Sequence, residues 1–129
     1  MGVVAQAFLA WRYNNPALGY RVLLHDSTPS AGFAVFRLRR RGRAVEAVLC
    51  DLFVPPGDLV AARALVRSIA RGTDADYVIR IPDGVTRRGF VRLPRTGPVL
   101  AFRALDGLDT SMPPSLGEWA LTMGDVELL

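Results

Sequence analysis

Residues 48–72, VLCDLFVPPGDLVAARALVRSIARG, combine an apolar run, a turn and an amphipathic segment, an order that can hold phosphate groups. The apolar run predicts a buried strand and the segment after the turn predicts a helix. A helix N-terminus favours anions, because it offers unpaired N–H groups and the positive end of a dipole. This turn, however, carries Pro55, Pro56 and Asp58 where a phosphate cradle is usually rich in glycine. These three residues indicate that the turn has a structural role and is not a working phosphate site.

The chain has one histidine, His25, and one cysteine, Cys50, too few for a zinc-ligand set or an intrachain disulfide. A Ser-His-Asp triad would depend on His25, and no nucleophile-elbow motif accompanies it. Cys50 stands within AVLCDLFV, which predicts a buried, unreactive thiol. There is no P-loop and no dinucleotide fingerprint. We therefore expect neither a metal site nor a thiol or serine nucleophile.

Five arginines fall within the seven residues RLRRRGR, at 37–43. At the tip of a hairpin they could reach the phosphates of a nucleic acid. The sequence shows no known reading motif and no aromatic platform beside them. All sixteen basic residues of the chain are arginines and the net charge is +4, a bias that GC-rich coding also produces. We expect a solvent-exposed hairpin end, and the sequence disfavours nucleic acid as a partner.

The length of 129 residues fits one domain, which we assign to 1–129. Half of the residues are hydrophobic and 22% are charged, as in folded globular proteins. No apolar run reaches the roughly 18 residues of a membrane span, and the opening MGVVAQAFLAWRY lacks the pattern of a secretory signal. Together with the single cysteine, these features predict a cytoplasmic protein with no membrane partner.

The N-terminal half predicts one short helix followed by three strands. The segment AQAFLAWRY favours a helix that ends near Asn14–Asn15, because the residue before Pro16 is pushed out of helical geometry. The buried face of this helix would hold Phe8, Leu9 and Tyr13. Three runs rich in strand-forming residues follow, at 20–25, 32–40 and 43–54.

The dipeptide Arg41-Gly42 predicts a two-residue hairpin turn between the last two strands. This turn would pair Arg40 with Arg43 and place Arg37 opposite Glu46, an opposite-charge pair that helps to fix the register.

The strand over 43–54 is apolar on both faces, which predicts a central strand that is covered on both sides. Asp51 is the exception. Strict alternation divides the apolar residues into two rows, one with Val45, Ala47, Leu49 and Phe53 and the other with Val48, Cys50, Leu52 and Val54.

A main helix is predicted over 59–71, with Asp58 as its N-cap and Gly72 in a left-handed position after its end. The strand ADYVIRI, at 75–81, follows this helix, and the strand-helix-strand order predicts parallel pairing. Helical spacing divides the helix into an apolar face of Leu59, Ala62, Leu65, Val66 and Ile69 and a solvent-facing ridge of Arg63, Arg67 and Arg71. Further strands are expected at FVRL, PVLAFRAL and EWALTM, which makes a mixed sheet of about six or seven strands.

A family resemblance is indicated by the order of the following segments along the chain: FLAWRYNNP, Tyr20, RRRGRAVEAVLCDL, ADYVI, GFVRLPRTGPVL and the ending WALTMGDVELL. This order, spread over almost the whole chain, resembles the GNAT superfamily, the acyl-CoA-dependent N-acyltransferases. More specifically, it is similar to the C-terminal half of tandem or extended members. The resemblance implies an α/β (α+β) fold of GNAT type, with a twisted mixed sheet, one main helix and a short N-terminal helix.

In that superfamily the strand before the main helix holds pantetheine and a glycine-rich turn wraps the pyrophosphate. Pro55 and Pro56, however, have no N–H group to donate, and a carboxylate at the helix N-terminus would repel phosphate. We therefore expect this chain to bind no cofactor, and acetyl-CoA to be the cofactor if it is active. The resemblance places the cofactor contacts on Phe53, Val54, Gly57, Asp58, Leu59 and Val60.

Acyl transfer to an amine needs a base to deprotonate the nucleophile, and often an acid for the leaving thiolate. Tyr77, Glu118 and Asp125 are the candidates for these roles, and each also fits a packing or surface role.

Three functions stay open. The leading one is a degenerate, non-catalytic C-terminal half that supports or shapes the acceptor site of an N-acyltransferase. Its partner would be an N-terminal catalytic half or a second copy, bound at the apolar segment Val3 to Trp11. The second is a stand-alone, divergent acetyl-CoA-dependent N-acetyltransferase acting on a small-molecule or peptide amine. The third is a basic polyanion-binding module that uses Arg37, Arg39, Arg40, Arg41 and Arg43.

Overall fold

The structure, a computed structural model, describes residues 3–81, 89–92 and 122–126. The described part belongs to the α+β class, as expected, and contains a four-stranded mixed sheet. A short 3-10 helix, Pro16–Leu18, follows the first α-helix. The remaining elements are α1 (Val3–Tyr13), β1 (Arg21–Leu24), β2 (Phe33–Arg41), β3 (Ala44–Phe53), α2 (Leu59–Gly72), β4 (Tyr77–Ile79) and α3 (Met123–Val126).

The strands are ordered β1-β2-β3-β4, so that β3 lies inside the described sheet, as predicted. The first three strands pair antiparallel, and α2 then crosses over the sheet to β4, which pairs parallel to β3. The parallel crossover predicted from the strand-helix-strand order is therefore confirmed. The predicted strand at 98–105 lies outside the described residues.

Two other predicted strands are wrong where the structure describes them. Phe90, at the start of FVRL, and the next two residues lie outside any strand. At the end of EWALTM, Met123 begins α3 instead. The physical reason lies in Asp125, whose carboxylate accepts hydrogen bonds from the backbone N–H and the hydroxyl of Thr122. The N–H of Asp125 also donates to the carbonyl of Thr122 at 3.1 Å, and together these bonds favour a helical turn over an extended strand.

The core lies between α2 and one face of the sheet. Ala61, Ala62, Leu65 and Ile69 are the buried residues of α2. The prediction that Leu59 belongs to the apolar face of α2 is wrong, because Leu59 lies at the edge of the buried face and is 36% exposed. At 3.6 residues per turn it points about 100° away from the centre of that face. From the strands, the core cluster includes Ala34, Phe36, Ala47 and Leu49.

The two ends of α2 differ in how well they were predicted. Asp58 is the N-cap as expected, and its Oδ1 accepts a hydrogen bond of 2.9 Å from the N–H of Ala61. Gly72, however, is the last helical residue rather than a left-handed residue beyond the helix, and Thr73 follows in extended geometry. The hydroxyl of Thr73 donates to the carbonyl of Ile69 at 2.8 Å. A side chain thus satisfies a terminal carbonyl that a left-handed glycine would leave to a backbone N–H.

The hairpin turn lies one residue further along the chain than predicted, which shifts the strand pairing by two residues. The turn residues are Gly42 and Arg43, Arg41 pairs with Ala44, and Arg39 rather than Arg37 lies opposite Glu46. Gly42 has a φ of +63°, so the turn needs glycine at its first position. Favoured two-residue hairpin turns demand a positive φ there.

A β-bulge interrupts β3 and changes which face its last residues occupy. Phe36 pairs with Leu49 and Val35 with Asp51, so that Cys50 is the extra residue in the register. Beyond the bulge the alternation shifts by one. Asp51 therefore lies on the face away from α2, whereas uninterrupted alternation would place it beside Leu49, under the helix.

The longest helix of the described ranges, α2, has 14 residues. None of the helices in these ranges has both the length and the apolar character to cross a bilayer.

Candidate functional site

The turn between β3 and α2 uses its own backbone donors. The N–H of Asp58 donates to the carbonyl of Pro55 at 3.0 Å, and the N–H of Leu59 donates to the carbonyl of Gly57 at 2.9 Å. The N–H of Ala61 is taken by the Asp58 carboxylate. Three donors that face a ligand in a phosphate cradle are thus engaged within the chain. The turn also holds a negative charge where a phosphate would bind.

The six predicted cofactor residues divide between two surroundings. Phe53 and Val54 line an apolar groove of about 330 Å³ between α1 and the ends of β2 and β3. Gly57 to Val60 are not among its lining residues, and Val60 is 76% exposed. The groove is lined by Phe8, Leu9, Pro29, Ser30, Gly32, Phe33, Phe53, Val54 and Pro55.

Two aromatic rings form the floor of this groove. Phe33 and Phe53 pair across the strands, and their rings stack with centroids 4.7 Å apart. Gly32 lets the chain approach, because a Cβ there would lie 2.9 Å from the carbonyl oxygen of Phe53. Its φ of +128° also favours glycine. The volume is at the lower end of the range for small-molecule sites, and the lining is largely apolar.

A polar cluster, formed by Arg12, Tyr13, Asp51 and Asp125, lies at the bulge and joins three elements. The Tyr13 hydroxyl donates to Oδ2 of Asp51. The Arg12 guanidinium donates from Nη2 to Oδ1 of Asp125 at 2.6 Å, and its Nε lies 3.9 Å from Oδ2 of Asp51. Nε is buried and has no hydrogen-bond partner among the described residues. The cluster therefore holds two carboxylates against one guanidinium.

The Tyr13 hydroxyl is a donor that stays protonated. Burial, followed by the hydrogen bond and the negative charge of Asp51, raises its pKa far above the usual value. The backbone of α3 lies close by, because a Cβ on Gly124 would collide with this hydroxyl. Tyr13 therefore donates a hydrogen bond at neutral pH and is a poor proton donor, because a raised pKa makes its proton harder to release.

Asp125, a predicted catalytic candidate, is held by structural contacts. Burial acts to raise the pKa of its carboxyl, but the hydrogen bonds from Thr122 and Arg12 outweigh this and hold the pKa below 3.8. A carboxylate with a lowered pKa is a weaker base than a free one. Its contacts are those of a residue that anchors α3 to α1.

Replacing Asp125 with asparagine should lower the free energy of unfolding by about 1 kcal/mol at neutral pH. Because the folded pKa lies below the unfolded value, this stabilisation is complete above pH 3.8 and is lost as the pH falls through the folded pKa. Urea unfolding of both proteins across this range should show the two stabilities converge in acid. Asp74→Asn, at an exposed position, is the control. A difference that stays constant with pH would contradict the assignment.

Tyr77, another predicted candidate, belongs to a different cluster. Its hydroxyl donates to Oε2 of Glu46 at 3.1 Å, and Arg39 donates from Nε to Oε1 of the same carboxylate. Glu46 is completely buried. Desolvation and the bond to Glu46 raise the pKa of Tyr77, against the smaller opposing effects of Arg41 and Arg39. These bonds satisfy a buried carboxylate, which needs such partners.

The structure does not bring the predicted catalytic residues together. Tyr77 contacts Glu46, whereas Asp125 lies beside Asp51. Asp51 is five positions after Glu46 in β3, so these two strand positions are roughly 16 Å apart. Glu118 lies outside the described residues. Asp51 and Tyr13, which the sequence did not single out as a pair, form a direct hydrogen bond. Asp51 was visible only as a charged residue within the apolar run at the end of its strand.

In the described ranges there is no group of three or more His, Cys, Asp or Glu side chains that could hold a metal ion. Comparisons with protein-family models, curated proteins and solved structures found no match.

Proposed function

We propose that this chain is a GNAT-like domain that does not catalyse by itself and that supports or shapes the acceptor site of an N-acyltransferase. The topology supports this proposal, because three antiparallel strands lead through a crossover helix to a parallel strand. That is the order which the resemblance implies for this superfamily. In this proposal the protein acts in the cytoplasm.

The observation that carries the non-catalytic assignment is the closed turn before α2. The Asp58 carboxylate occupies the helix N-terminus, and the N–H groups of Asp58 and Leu59 donate to carbonyls of the turn itself. A pyrophosphate would have to displace these bonds and also approach a carboxylate. Pro55 and Pro56 contribute no donors that could compensate.

The N-terminal helix is the surface through which the domain would contact its catalytic half. Phe8 is 46% exposed and Trp11 is 79% exposed, and their ring centroids lie 6.0 Å apart. The predicted burial of Phe8 is thus wrong for the isolated chain, because α1 covers the sheet only in part. Exposed aromatic residues of this kind are enriched in protein interfaces.

A second candidate, the stand-alone N-acetyltransferase, is favoured by the groove and the cluster taken together. Phe53 and Val54 line an apolar groove, and Asp51, two residues before Phe53, contacts the Tyr13 hydroxyl. The Asp51 carboxylate is a group that could deprotonate an amine, and the Tyr13 hydroxyl is a hydrogen-bond donor beside it. This arrangement supports acetyl-CoA as cofactor and a small-molecule or peptide amine as acceptor.

Calorimetric titration with acetyl-CoA separates the two candidates. We expect no saturable binding by the unaltered chain. Asp58→Gly should retain the helix, because glycine at an N-cap is only a few tenths of a kcal/mol worse than aspartate, and should acquire weak binding. A ligand at a hundredfold excess over Kd would add about 2.7 kcal/mol to the stability, which a thermal-shift assay detects. Asp74→Gly is the control for loss of one carboxylate elsewhere. One-to-one binding by the unaltered chain would overturn the non-catalytic assignment.

A further inference from the structure

A row of arginines lies on the face of the sheet opposite α2. Side chains alternate along β2, so Arg37, Arg39 and Arg41 share this face. Successive members stand about 6.8 Å apart. Leu38, between two of them, packs instead against the core under α2. Three of the five arginines of the hairpin therefore form a regular line on this face.

The Glu46 carboxylate offsets the charge of Arg39, but further arginines lie at the tip of the hairpin. Glu46 is buried and engaged by Arg39 and Tyr77. Asp76 accepts a hydrogen bond of 2.7 Å from the N–H of Val45. Arg40, Arg41 and Arg43 are exposed at the tip. Positive charge thus dominates the exposed end of the hairpin.

The fold adds the aromatic side chain that the hairpin sequence lacks. Parallel pairing of β4 with β3 places Tyr77 opposite Glu46, on the same face as the arginine row. Its hydroxyl is tied down by Glu46, and 40% of the residue stays exposed. This neighbour comes from a position 34 residues beyond Arg43, so the run RLRRRGR alone could not reveal it.

The geometry points to a site for single-stranded nucleic acid at this end of the hairpin. We call it the arginine–tyrosine surface, and it is formed by Arg39 and Arg41 of the row, Arg43 of the turn and Tyr77. Arg41 and Arg43 would contact phosphates, and the Tyr77 ring would stack on a base. Arg39 pairs with Glu46, the carboxylate that also holds the Tyr77 hydroxyl. Charge complementarity and an anchored aromatic ring beside the charges are the two features of sequence-tolerant single-strand binding. The inference does not rest on the acyltransferase proposal, because the closed turn lies at the opposite end of β3.

Fluorescence anisotropy with a labelled single-stranded oligothymidine and the full chain tests this site. We expect binding that weakens steeply between about 50 and 200 mM salt. The pair Arg41→Gln and Arg43→Gln should reduce the slope of log K against log salt by about 1.4, because each phosphate that is no longer neutralised accounts for roughly 0.7. Removing two exposed charges from α2, with Arg63→Gln and Arg67→Gln, should leave the slope nearly unchanged.

Variants of Tyr77 give a second measurement, which a purely electrostatic interaction with the arginines would leave unchanged. Tyr77→Ala should weaken binding roughly fivefold or more, whereas Tyr77→Phe, which keeps the ring, should bind like the unaltered chain. Circular dichroism and a thermal melt check that both variants are folded. Absence of binding at low salt, equal losses in the two arginine pairs, or binding to anionic lipid vesicles without binding to the oligonucleotide would each overturn the proposal.

Discussion

Replacing Glu46 with alanine should lower the free energy of unfolding by about 3–5 kcal/mol. This carboxylate is completely buried and is the shared acceptor of Arg39 and Tyr77. Its removal leaves a guanidinium and a hydroxyl without their acceptor and opens a cavity between three strands. Urea denaturation measures the loss, and in a chain of this size each kcal/mol corresponds to about 4 °C in the thermal midpoint.

Further variants at and near Glu46 identify which interactions supply this stabilisation. Glu46→Gln keeps an acceptor for Tyr77 and should lose less than alanine. The double variant Arg39→Met/Glu46→Leu should recover much of the loss, because a buried ion pair can often be replaced by apolar side chains of similar volume. Arg40→Ala, on the other face of β2, should change the stability by no more than about 0.5 kcal/mol. A loss below about 1 kcal/mol for Glu46→Ala would contradict the buried pair.

Asp51→Ala is expected to cost about 3 kcal/mol, since it removes the only acceptor that the structure shows for the Tyr13 hydroxyl among the described residues. The charge of Arg12 would also lose its second carboxylate, although Asp125 continues to bind it. Asp51→Asn keeps an acceptor oxygen and should lose about half as much. Urea denaturation provides the comparison, with the exposed Asp74→Ala as the matched control.

A double-mutant cycle assigns the effect of Asp51 to its contact with Tyr13. Tyr13→Phe alone should lose about 1–2 kcal/mol, because it leaves the buried carboxylate short of a donor. Combined with Asp51→Ala, the losses should fall short of additivity by about 1 kcal/mol or more. Additive losses would mean that the two side chains act independently, which would contradict the cluster.

The features predicted correctly from the sequence are those that local patterns specify. The main helix, its cap at Asp58 and its exposed ridge follow from a 3.6-residue period and one capping side chain. The end of α1 before Asn14 follows from Pro16, and the parallel crossover follows from the order of elements. In each case a short segment contains the whole physical cause.

The features that were not predicted depend on shifts of a single residue in the sheet, at the hairpin turn and at the β-bulge. Gly42 can stand at either position of a two-residue turn, and choosing the second shifted the register and paired Arg37 with Glu46. The bulge at Cys50 has no side-chain signature, because cysteine fits either face of an apolar strand. It nevertheless decides that Asp51 meets Tyr13 rather than the core under α2. Local energies differ little between these alternatives, and distant contacts select one.

The candidate site was harder to predict than the fold for the same reason. Tyr77 and Asp125 were selected by residue type, and each has a structural partner that lies far away in the chain. Glu46 contacts a residue 31 positions later, and Asp51 contacts one 38 positions earlier. Such pairs depend on the strand order and the register together. An error in either one removes the pair from consideration.

The bond between Arg12 and Asp125 has a consequence for the order of assembly. It joins residues 113 positions apart, whereas Arg39 and Glu46 are separated by seven. Closing a loop costs about 0.6 kcal/mol for each doubling of its length, so the longer closure is less favourable by about 2.4 kcal/mol in an unstructured chain. The intervening sheet must shorten that path first. We therefore expect the hairpin contact to form before the Arg12–Asp125 contact during folding.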